Sequence, residues 1–192
     1  ITAVEQRLRE DAQIGILINN AGTSIPGDFL NQSSADITRL ITLNVTAVTR
    51  LANAIAPRLA RAGTGSIVNI ASVVGQGPEM GLTVYGATKA FVLFLSQGLD
   101  VELSAKGVYV QAVLPAATRT EIWQHSGKDV NAIPGVMEVE KLVDAALVGF
   151  DRRELVTIPP LQDETQWQTL NATRQAMLPA FVQSEPAARY LA

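Results

Sequence analysis

The sequence predicts an α/β fold in which helices cover both faces of a mostly parallel β-sheet. Three short apolar runs, at 14–19, 66–71 and 108–114, have the length and residue types of strands buried on both faces. The longer segments between them carry apolar residues at helical spacing. Strands that alternate with helices indicate parallel βαβ units joined by right-handed crossovers, and therefore three layers.

The first third of the chain contains two predicted helices on either side of the first strand. Residues 1–13 have the pattern of the middle of an amphipathic helix and no initiator methionine, so we expect further sequence before Ile1. Residues 35–60 carry a long stripe of apolar residues, for which Ser33 or Ser34 is a suitable N-cap. Pro57 is expected to bend or end this helix.

The remaining elements follow from the same patterns. A helix of about six turns is predicted over 84–105, where Gly107 can end it in a left-handed conformation. The polar stretch 116–135 has neither strand nor helix periodicity and is predicted to be a loop. Three further elements are expected: a helix over 139–150, a short strand over 155–158 and a last helix over 162–178.

Composition narrows the class of protein before any motif is considered. A chain of 192 residues with 47% hydrophobic residues can build one sizeable core, so a single domain over 1–192 is expected. The net charge is -3 and the basic residues are scattered, which argues against nucleic acid as a partner. Cysteine is absent and His125 is the one histidine, so no metal site is expected. No apolar run approaches the ~18 residues of a membrane span, and a soluble, cytoplasmic protein is predicted.

Tyr85 and Lys89 form the first candidate catalytic pair. They are four residues apart at the start of the predicted long helix, so their side chains share one face. An ammonium group that close favours the phenolate, and the pattern predicts a lowered pKa for Tyr85 that suits proton transfer near neutrality. By itself such a pair is more often a surface contact.

Ser72 and Asn44 strengthen the case for a site. Ser72 follows the second strand, at the carboxyl end of the sheet where open α/β folds place their ligand crevice. Asn44 is an amide inside the apolar stripe of a helix, which requires buried hydrogen-bond partners. A purely structural network is the alternative role for Asn44.

Taken in order, these segments resemble the motifs of the short-chain dehydrogenase/reductase family. The resemblance covers nearly the whole chain and includes Ser72 thirteen residues before Tyr85. The matching motifs are Asn19-Asn20-Ala21-Gly22, Leu43-Asn44-Val45, Tyr85-Gly86-Ala87-Thr88-Lys89 and Leu114-Pro115. The resemblance implies a Rossmann-type, doubly wound parallel sheet and hydride transfer with NAD or NADP.

The resemblance also implies a role for each candidate catalytic residue. Tyr85 would protonate a carbonyl oxygen as hydride arrives and would act as the base in the reverse direction. Lys89 would lower the pKa of Tyr85 and hold the nicotinamide ribose. Ser72 would hydrogen-bond the substrate oxygen, and Asn44 would fix a water molecule that links Lys89 to solvent.

Further residues are implied to contact the cofactor. Asn20, Ala21 and Gly22 would line its adenosine side. Pro115, Thr118 and Thr120 match the element that contacts the nicotinamide, although Ala116 stands where the family usually has glycine.

The segment that binds the pyrophosphate in this family, a glycine-rich turn, is not in the sequence. The fold is therefore expected to be incomplete at its N-terminus, and the strand over 14–19 to expose an apolar edge. The native chain is expected to be longer.

The loop over about 116–136 corresponds to the family's substrate lid. Arg119, Trp123 and His125 lie in it and are candidate substrate contacts, although a polar loop residue is more often merely solvated.

The sequence therefore predicts an NAD(P)-dependent oxidoreductase that interconverts a carbonyl and a secondary alcohol in a small-molecule substrate. A non-catalytic dinucleotide-binding or regulatory protein of the same fold is the alternative. A sugar-nucleotide epimerase is disfavoured because the region after Pro115 is too short for a large substrate domain.

A homodimer or homotetramer is also predicted. The run 90–95 is apolar on every side of its helix, so one side must be buried against something other than the sheet. We expect Phe91, Phe94 or Leu95 to lie between subunits. Leu51, Ile55 and Leu59 of the preceding helix are expected to join them in a four-helix contact.

Overall fold

A computed structural model of the chain describes residues 1–123 and 129–191, and its centre is a parallel sheet. The four strands are ordered β1-β2-β3-β4 and are parallel throughout. Their bounds are Ile16–Asn19, Ser66–Ile70, Tyr109–Val113 and Val156–Thr157. Each predicted strand is present, with bounds one or two residues shorter than the apolar run. The predicted parallel α/β architecture is confirmed.

Six α-helices precede, connect or follow these strands in the described part of the chain. In chain order, α1 to α6, they are Thr2–Glu10, Ser34–Ile41, Val48–Ala62, Thr83–Leu103, Val139–Asp151 and Glu164–Ala176. Helices α3 and α4 pack on the sheet, while α1 packs on α3 and α5 on β4. Two predicted end signals are confirmed: the Ser33 side chain accepts a hydrogen bond from the Asp36 amide, and Gly107 follows α4 with a φ of 77°.

The prediction of one helix over 35–60 is wrong in its middle and at its end. Helices α2 and α3 are separated by a π-helical turn, Thr42–Ala47, and α3 continues through Pro57 to Ala62. Proline inside a helix costs about 3 kcal/mol. Ile55 and Leu59, on either side of Pro57, are 0% and 2% exposed, so core packing holds this stretch helical despite that cost.

The main core lies between the sheet and helices α1 and α3. Leu17 and Ile67 from the strands meet Leu8, Ile55 and Leu59 from the helices in one buried cluster. Because Ile55 and Leu59 are enclosed in this core, the prediction that they meet a second subunit is wrong.

An ion pair attaches α1 to α3 beside that core. Both oxygens of the buried Glu5 carboxylate accept hydrogen bonds from Arg50, at 2.8 and 2.6 Å. This pairing holds the pKa of Glu5 below its ordinary value.

Strand β1 lies at the edge of the sheet. Its residues alternate in exposure: Ile16 and Ile18 are 51% and 61% exposed, whereas Leu17 and Asn19 are buried. The apolar edge expected from the sequence is therefore present.

The chain divides into two compact units. The first, Ile1–Pro160, holds the sheet and helices α1 to α5, and the second begins at Leu161 and contains α6. A single domain over 1–192 stays a prediction. In the ranges that the structure describes, we find no helix with both the length and the apolar character needed to cross a membrane.

Candidate active site

Ser72 is fixed where two strands of the sheet end. It follows β2 and is 6% exposed. Its Oγ donates to the Pro115 carbonyl, beyond the end of β3, at 3.2 Å and accepts from the Val74 amide at 3.2 Å. A distance of 3.2 Å is long for a bond that a hydroxyl donates, so a substrate oxygen can replace the Pro115 carbonyl as its acceptor.

Tyr85 and Lys89 lie on one face at the start of α4, as the spacing predicted. The Lys89 Nζ is 5.7 Å from the centre of the Tyr85 ring. Lys89 is 6% exposed and its ammonium donates to the Ile70 carbonyl at the end of β2, 2.8 Å away. Burial lowers the pKa of Lys89 to about 8.

The predicted lowering of the Tyr85 pKa is wrong for this structure. Burial raises the pKa of Tyr85, and a hydrogen bond with the Ser72 side chain offsets part of that rise. The removal of water from the phenol outweighs any attraction by Lys89, whose ammonium is itself poorly solvated and directed at a backbone carbonyl. The sequence showed the phenol and the ammonium side by side but not how deeply both are buried.

Asn44 lies in the π-helical turn and is 1% exposed. Its Oδ1 accepts from the Thr23 amide at 3.0 Å, and its Nδ2 donates to the Thr23 carbonyl at 2.9 Å. The same Nδ2 donates to the Thr88 hydroxyl at 3.2 Å, and that hydroxyl donates to the Tyr85 carbonyl at 2.7 Å. Asn44 is therefore connected to the backbone of Tyr85 through one threonine.

Sequence reasoning missed Thr88. A signal was present, because a threonine inside a helix commonly bonds a carbonyl three or four residues before it, and the carbonyl three before Thr88 is that of Tyr85.

The turn after β1 runs close to the same groups. A Cβ placed on Gly22 would lie 3.4 Å from Lys89 Nζ and 3.5 Å from Asn44 Oδ1. Asn19, at the end of β1, donates to the Asn69 side chain on β2 at 2.8 Å, and Asn69 donates to Ser96 on α4 at 2.9 Å. Neither Asn69 nor Ser96 was singled out from the sequence, yet they connect β1, β2 and α4 beneath the site.

These groups open onto a cavity of about 1230 Å³. Asn44 is not part of its wall. All the other predicted catalytic and cofactor-binding residues line it: Asn20, Ala21, Gly22, Ser72, Tyr85, Lys89, Pro115, Thr118 and Thr120. The apolar part of the wall includes Ile25, Met80, Leu82, Ile122 and Leu142.

The predicted lid contributes two candidate residues to the wall. Arg119 pairs with Glu138 at 3.0 Å and donates to the Asn131 side chain at 3.0 Å, so its charge is already partnered. The Trp123 indole donates to the Thr118 carbonyl at 2.6 Å. His125 lies outside the described residues.

The ionisable side chains of the site and of the rest of the described chain give no metal centre. Within 1–123 and 129–191, no group of three or more His, Cys, Asp and Glu residues is arranged to hold a metal ion.

Comparison with known proteins gives consistent results. A sequence profile described as "short chain dehydrogenase" matches residues 1–131. A short-chain dehydrogenase from Sphingobium yanoikuyae, solved with NADPH, is 65% identical with a TM-score of 0.97, over 99% of this chain and 74% of its own. The bulky-bulky ketone specific alcohol dehydrogenase from Comamonas testosteroni is 58% identical with a TM-score of 0.91, over 100% of this chain and 73% of its own.

A curated relative is more distant and much longer. Very-long-chain 3-oxoacyl-CoA reductase-B from Danio rerio is 40% identical over 114 residues, which are 57% of this chain and 37% of that protein. The chain thus spans just over a third of the length of this relative. The profile match and the two structures establish the Rossmann-type fold inferred above, and the chain belongs to the short-chain dehydrogenase family.

Proposed function

We propose that this protein is an NAD(P)-dependent oxidoreductase that interconverts a ketone and a secondary alcohol, with Tyr85 as the acid and base. The observation that carries the proposal is the convergence of Ser72, Tyr85 and Lys89 on one cavity at the carboxyl end of the sheet. A hydroxyl, a phenol and an ammonium within reach of one another are the groups that carbonyl reduction requires.

Each side chain has a separate task in this proposal. The Tyr85 hydroxyl donates its proton to the carbonyl oxygen, and the phenolate that remains is stabilised by the Lys89 ammonium. Ser72 turns its hydroxyl from the Pro115 carbonyl to the same substrate oxygen, where negative charge develops. The bound nicotinamide supplies or accepts the hydride. The Thr88 hydroxyl holds the backbone carbonyl of Tyr85 and is itself held by Asn44, so these two residues fix the position of the Tyr85 backbone.

The residues around Lys89 fit a nicotinamide ribose. An ammonium has three N–H donors, and in the described part of the chain the Ile70 carbonyl is the acceptor within hydrogen-bond distance. A buried ammonium with spare donors facing a cavity favours a ligand rich in hydroxyl groups. Gly22 leaves room beside it, since a side chain there would lie 3.4 Å from Nζ. The NADPH in the Sphingobium relative supports NADPH as the cofactor.

For the substrate, we propose a ketone with bulky apolar groups on both sides of the carbonyl. The name of the Comamonas relative supports this class, as does a cavity wall rich in aliphatic side chains. Arg119 is neutralised by Glu138, which makes it a poor anchor for the phosphates of an acyl-CoA thioester. Acyl-CoA thioesters are the competing class, because the Danio relative is named for them.

The proposal is tested by NADPH oxidation, followed with a ketone that carries a bulky apolar group on each side of the carbonyl and, in parallel, with a 3-oxoacyl-CoA. Turnover of the ketone alone supports the proposed class, and turnover of the thioester alone contradicts it. Cofactor binding without turnover of any carbonyl would favour the non-catalytic alternative.

Tyr85→Phe tests the assigned acid. It removes the proton and leaves the ring, so kcat should fall by about 10²–10⁴-fold with little change in cofactor affinity. Tyr109→Phe is the matched control, because its hydroxyl bonds the Glu154 carbonyl away from the cavity. A Tyr85→Phe enzyme within tenfold of wild type would contradict the mechanism.

The same proposal includes a cytoplasmic homodimer or homotetramer assembled through α4. Phe94 is 75% exposed and Phe91 39% exposed, whereas Leu95 is partly buried within the subunit. Two exposed phenylalanines on one helix support a contact between subunits there.

A further inference from the structure

The short turn after Ser72 packs directly against the backbone of α4. Residues Val73–Gln76 form a single 3-10 turn, and Gly75 in that turn lies close to the helix backbone. A Cβ built on Gly75 would lie 2.6 Å from the Ala90 nitrogen and 2.8 Å from the Lys89 carbonyl carbon. No flexible side chain stands between the two segments at this point, so nothing can move aside cheaply.

Space, and not backbone conformation, requires glycine at this position. Gly75 is not among the glycines with positive φ, so alanine is compatible with its backbone angles. The turn and the helix would nevertheless have to separate by roughly 0.8 Å before a Cβ reached 3.4 Å, where ordinary contact begins. Helix α4 is anchored by the buried Val92, Leu93 and Ser96, whereas no residue of the turn Val73–Gln76 is buried, so we expect the turn to be the part that moves.

The turn transmits that movement to Ser72. The Gly75 amide donates to the Ser72 carbonyl at 3.1 Å. The Val74 amide donates to the Ser72 hydroxyl at 3.2 Å. Because these two bonds tie Ser72 to the turn, we expect residues 72–75 to shift together. Ser72 is the one of these residues that faces Tyr85.

A second contact of the same kind comes from the helix side. A Cβ on Gly86 would lie 3.2 Å from the Val74 carbonyl oxygen and 3.3 Å from Val74 Cγ1, a milder conflict than the one at Gly75. Two glycines, one on each segment, thus allow the serine turn and the first turns of α4 to approach each other closely.

We propose that Gly75 is a positioning residue whose missing side chain sets the distance between the Ser72 hydroxyl and the Tyr85–Lys89 pair. This inference rests on the proposed function for its kinetic consequence, since Ser72 and Tyr85 must reach the same substrate oxygen. A misplacement of about 1 Å costs on the order of 10²-fold in rate.

The test compares Gly75→Ala, Gly86→Ala and Gly98→Ala in steady-state kinetics, cofactor affinity and thermal stability. Gly98 is the matched control, because it also lies on α4 and a Cβ there meets nothing within 4 Å. The expected order of loss in kcat is about 10–100-fold for Gly75→Ala, less for Gly86→Ala and none for Gly98→Ala. Cofactor dissociation constants should change by less than about threefold, since the ribose contacts lie on α4.

Each glycine variant is also combined with Ser72→Ala. If Gly75 acts through Ser72, the double variant is no slower than Ser72→Ala alone, whereas general damage to the fold multiplies the two losses. Multiplied losses, or a Gly75→Ala enzyme within threefold of wild type, overturn the inference. Gly86→Ala gives the same test from the helix side should Gly75→Ala fail to fold.

A crystal structure of the Gly75→Ala or Gly86→Ala protein provides a measurement that does not depend on turnover. Ser72 Oγ should move away from α4 by at least about 0.4 Å in Gly75→Ala, which is the shift that brings 2.6 Å to 3.0 Å. An unmoved turn overturns the positioning role. An inactive wild-type enzyme, or an active Tyr85→Phe variant, overturns the proposed function and leaves this structural test standing.

Discussion

Replacing Lys89 with methionine measures how much stability the buried ammonium costs. Burial lowers the pKa of Lys89 from 10.5 to about 8. Each pKa unit corresponds to about 1.4 kcal/mol, so keeping the lysine charged inside the fold costs about 3 kcal/mol below pH 8. Methionine fills a similar volume without a charge and carries no such cost.

The sign of the pH dependence follows from which state holds the proton. Between pH 8 and 10.5 the unfolded chain keeps the Lys89 proton while the folded chain releases it. The unfolded state therefore binds more protons, and the stability of the wild type rises with pH in this window relative to Lys89→Met. The difference in the free energy of unfolding between wild type and Lys89→Met should change by about 3 kcal/mol in total. This change is complete above pH 10.5 and has not begun below pH 8.

Urea unfolding of both proteins without cofactor, at intervals from pH 7 to 10.5, measures this difference. Other titrating groups are common to both chains and largely cancel. Lys106→Met serves as the control, because Lys106 is an exposed lysine outside the site. A difference between wild type and Lys89→Met that stays constant across the window would refute the reasoning that burial lowers this pKa.

Two further predictions concern the supporting network and the subunit contact. Thr88→Val should lower kcat by about tenfold, because Asn44 and the Tyr85 carbonyl both lose a partner, while Thr88→Ser should retain activity; equal rates for the two variants would contradict this. Phe94→Asp should reduce the mass of the assembly in sedimentation velocity, while Leu30→Asp, at a 90% exposed position outside α4, should not. A wild type that sediments as a monomer at micromolar concentration would rule out the subunit contact.

The sequence predicted the sheet and the site because both depend on local signals. Apolar runs of strand length mark β1, β2 and β3, and their observed bounds differ from the runs by one or two residues. A spacing of four residues was enough to place Tyr85 and Lys89 on one helix face. Ser72 could be located because the carboxyl ends of parallel strands share one edge of the sheet.

The π-helical turn Thr42–Ala47 could not be predicted in the same way. Its residues keep a helical apolar pattern, and the change in hydrogen bonding places Asn44 against the backbone of Thr23, twenty-one positions earlier. The prediction that Pro57 bends or ends the helix was wrong for a related reason. The packing of Ile55 and Leu59 keeps the helix intact, and a rule based on the proline alone does not include those contacts.

The direction of the Tyr85 pKa depends on burial, which no pattern of residues along the chain supplies. Spacing predicted attraction between the phenol and Lys89. In the folded protein both groups lose water, and the loss raises one pKa while lowering the other. From ordinary values of 10.0 and 10.5 the two pKa values therefore move apart, because burial disfavours the charged form of each group.

The burial of these two groups has a structural cost, which the rest of the site offsets. Lys89 is held by the Ile70 carbonyl, and Asn44 is satisfied by Thr23 and Thr88. A polar group left unpaired at such depth would cost about 1–3 kcal/mol, so these bonds are what makes deep burial of the site tolerable. The Lys89 ammonium has three donors and, among the described residues, one acceptor, the Ile70 carbonyl, and Lys89 lines the cavity. Acceptor oxygens of a bound dinucleotide would satisfy the remaining Lys89 donors, so cofactor binding would offset part of the cost of burying this ammonium.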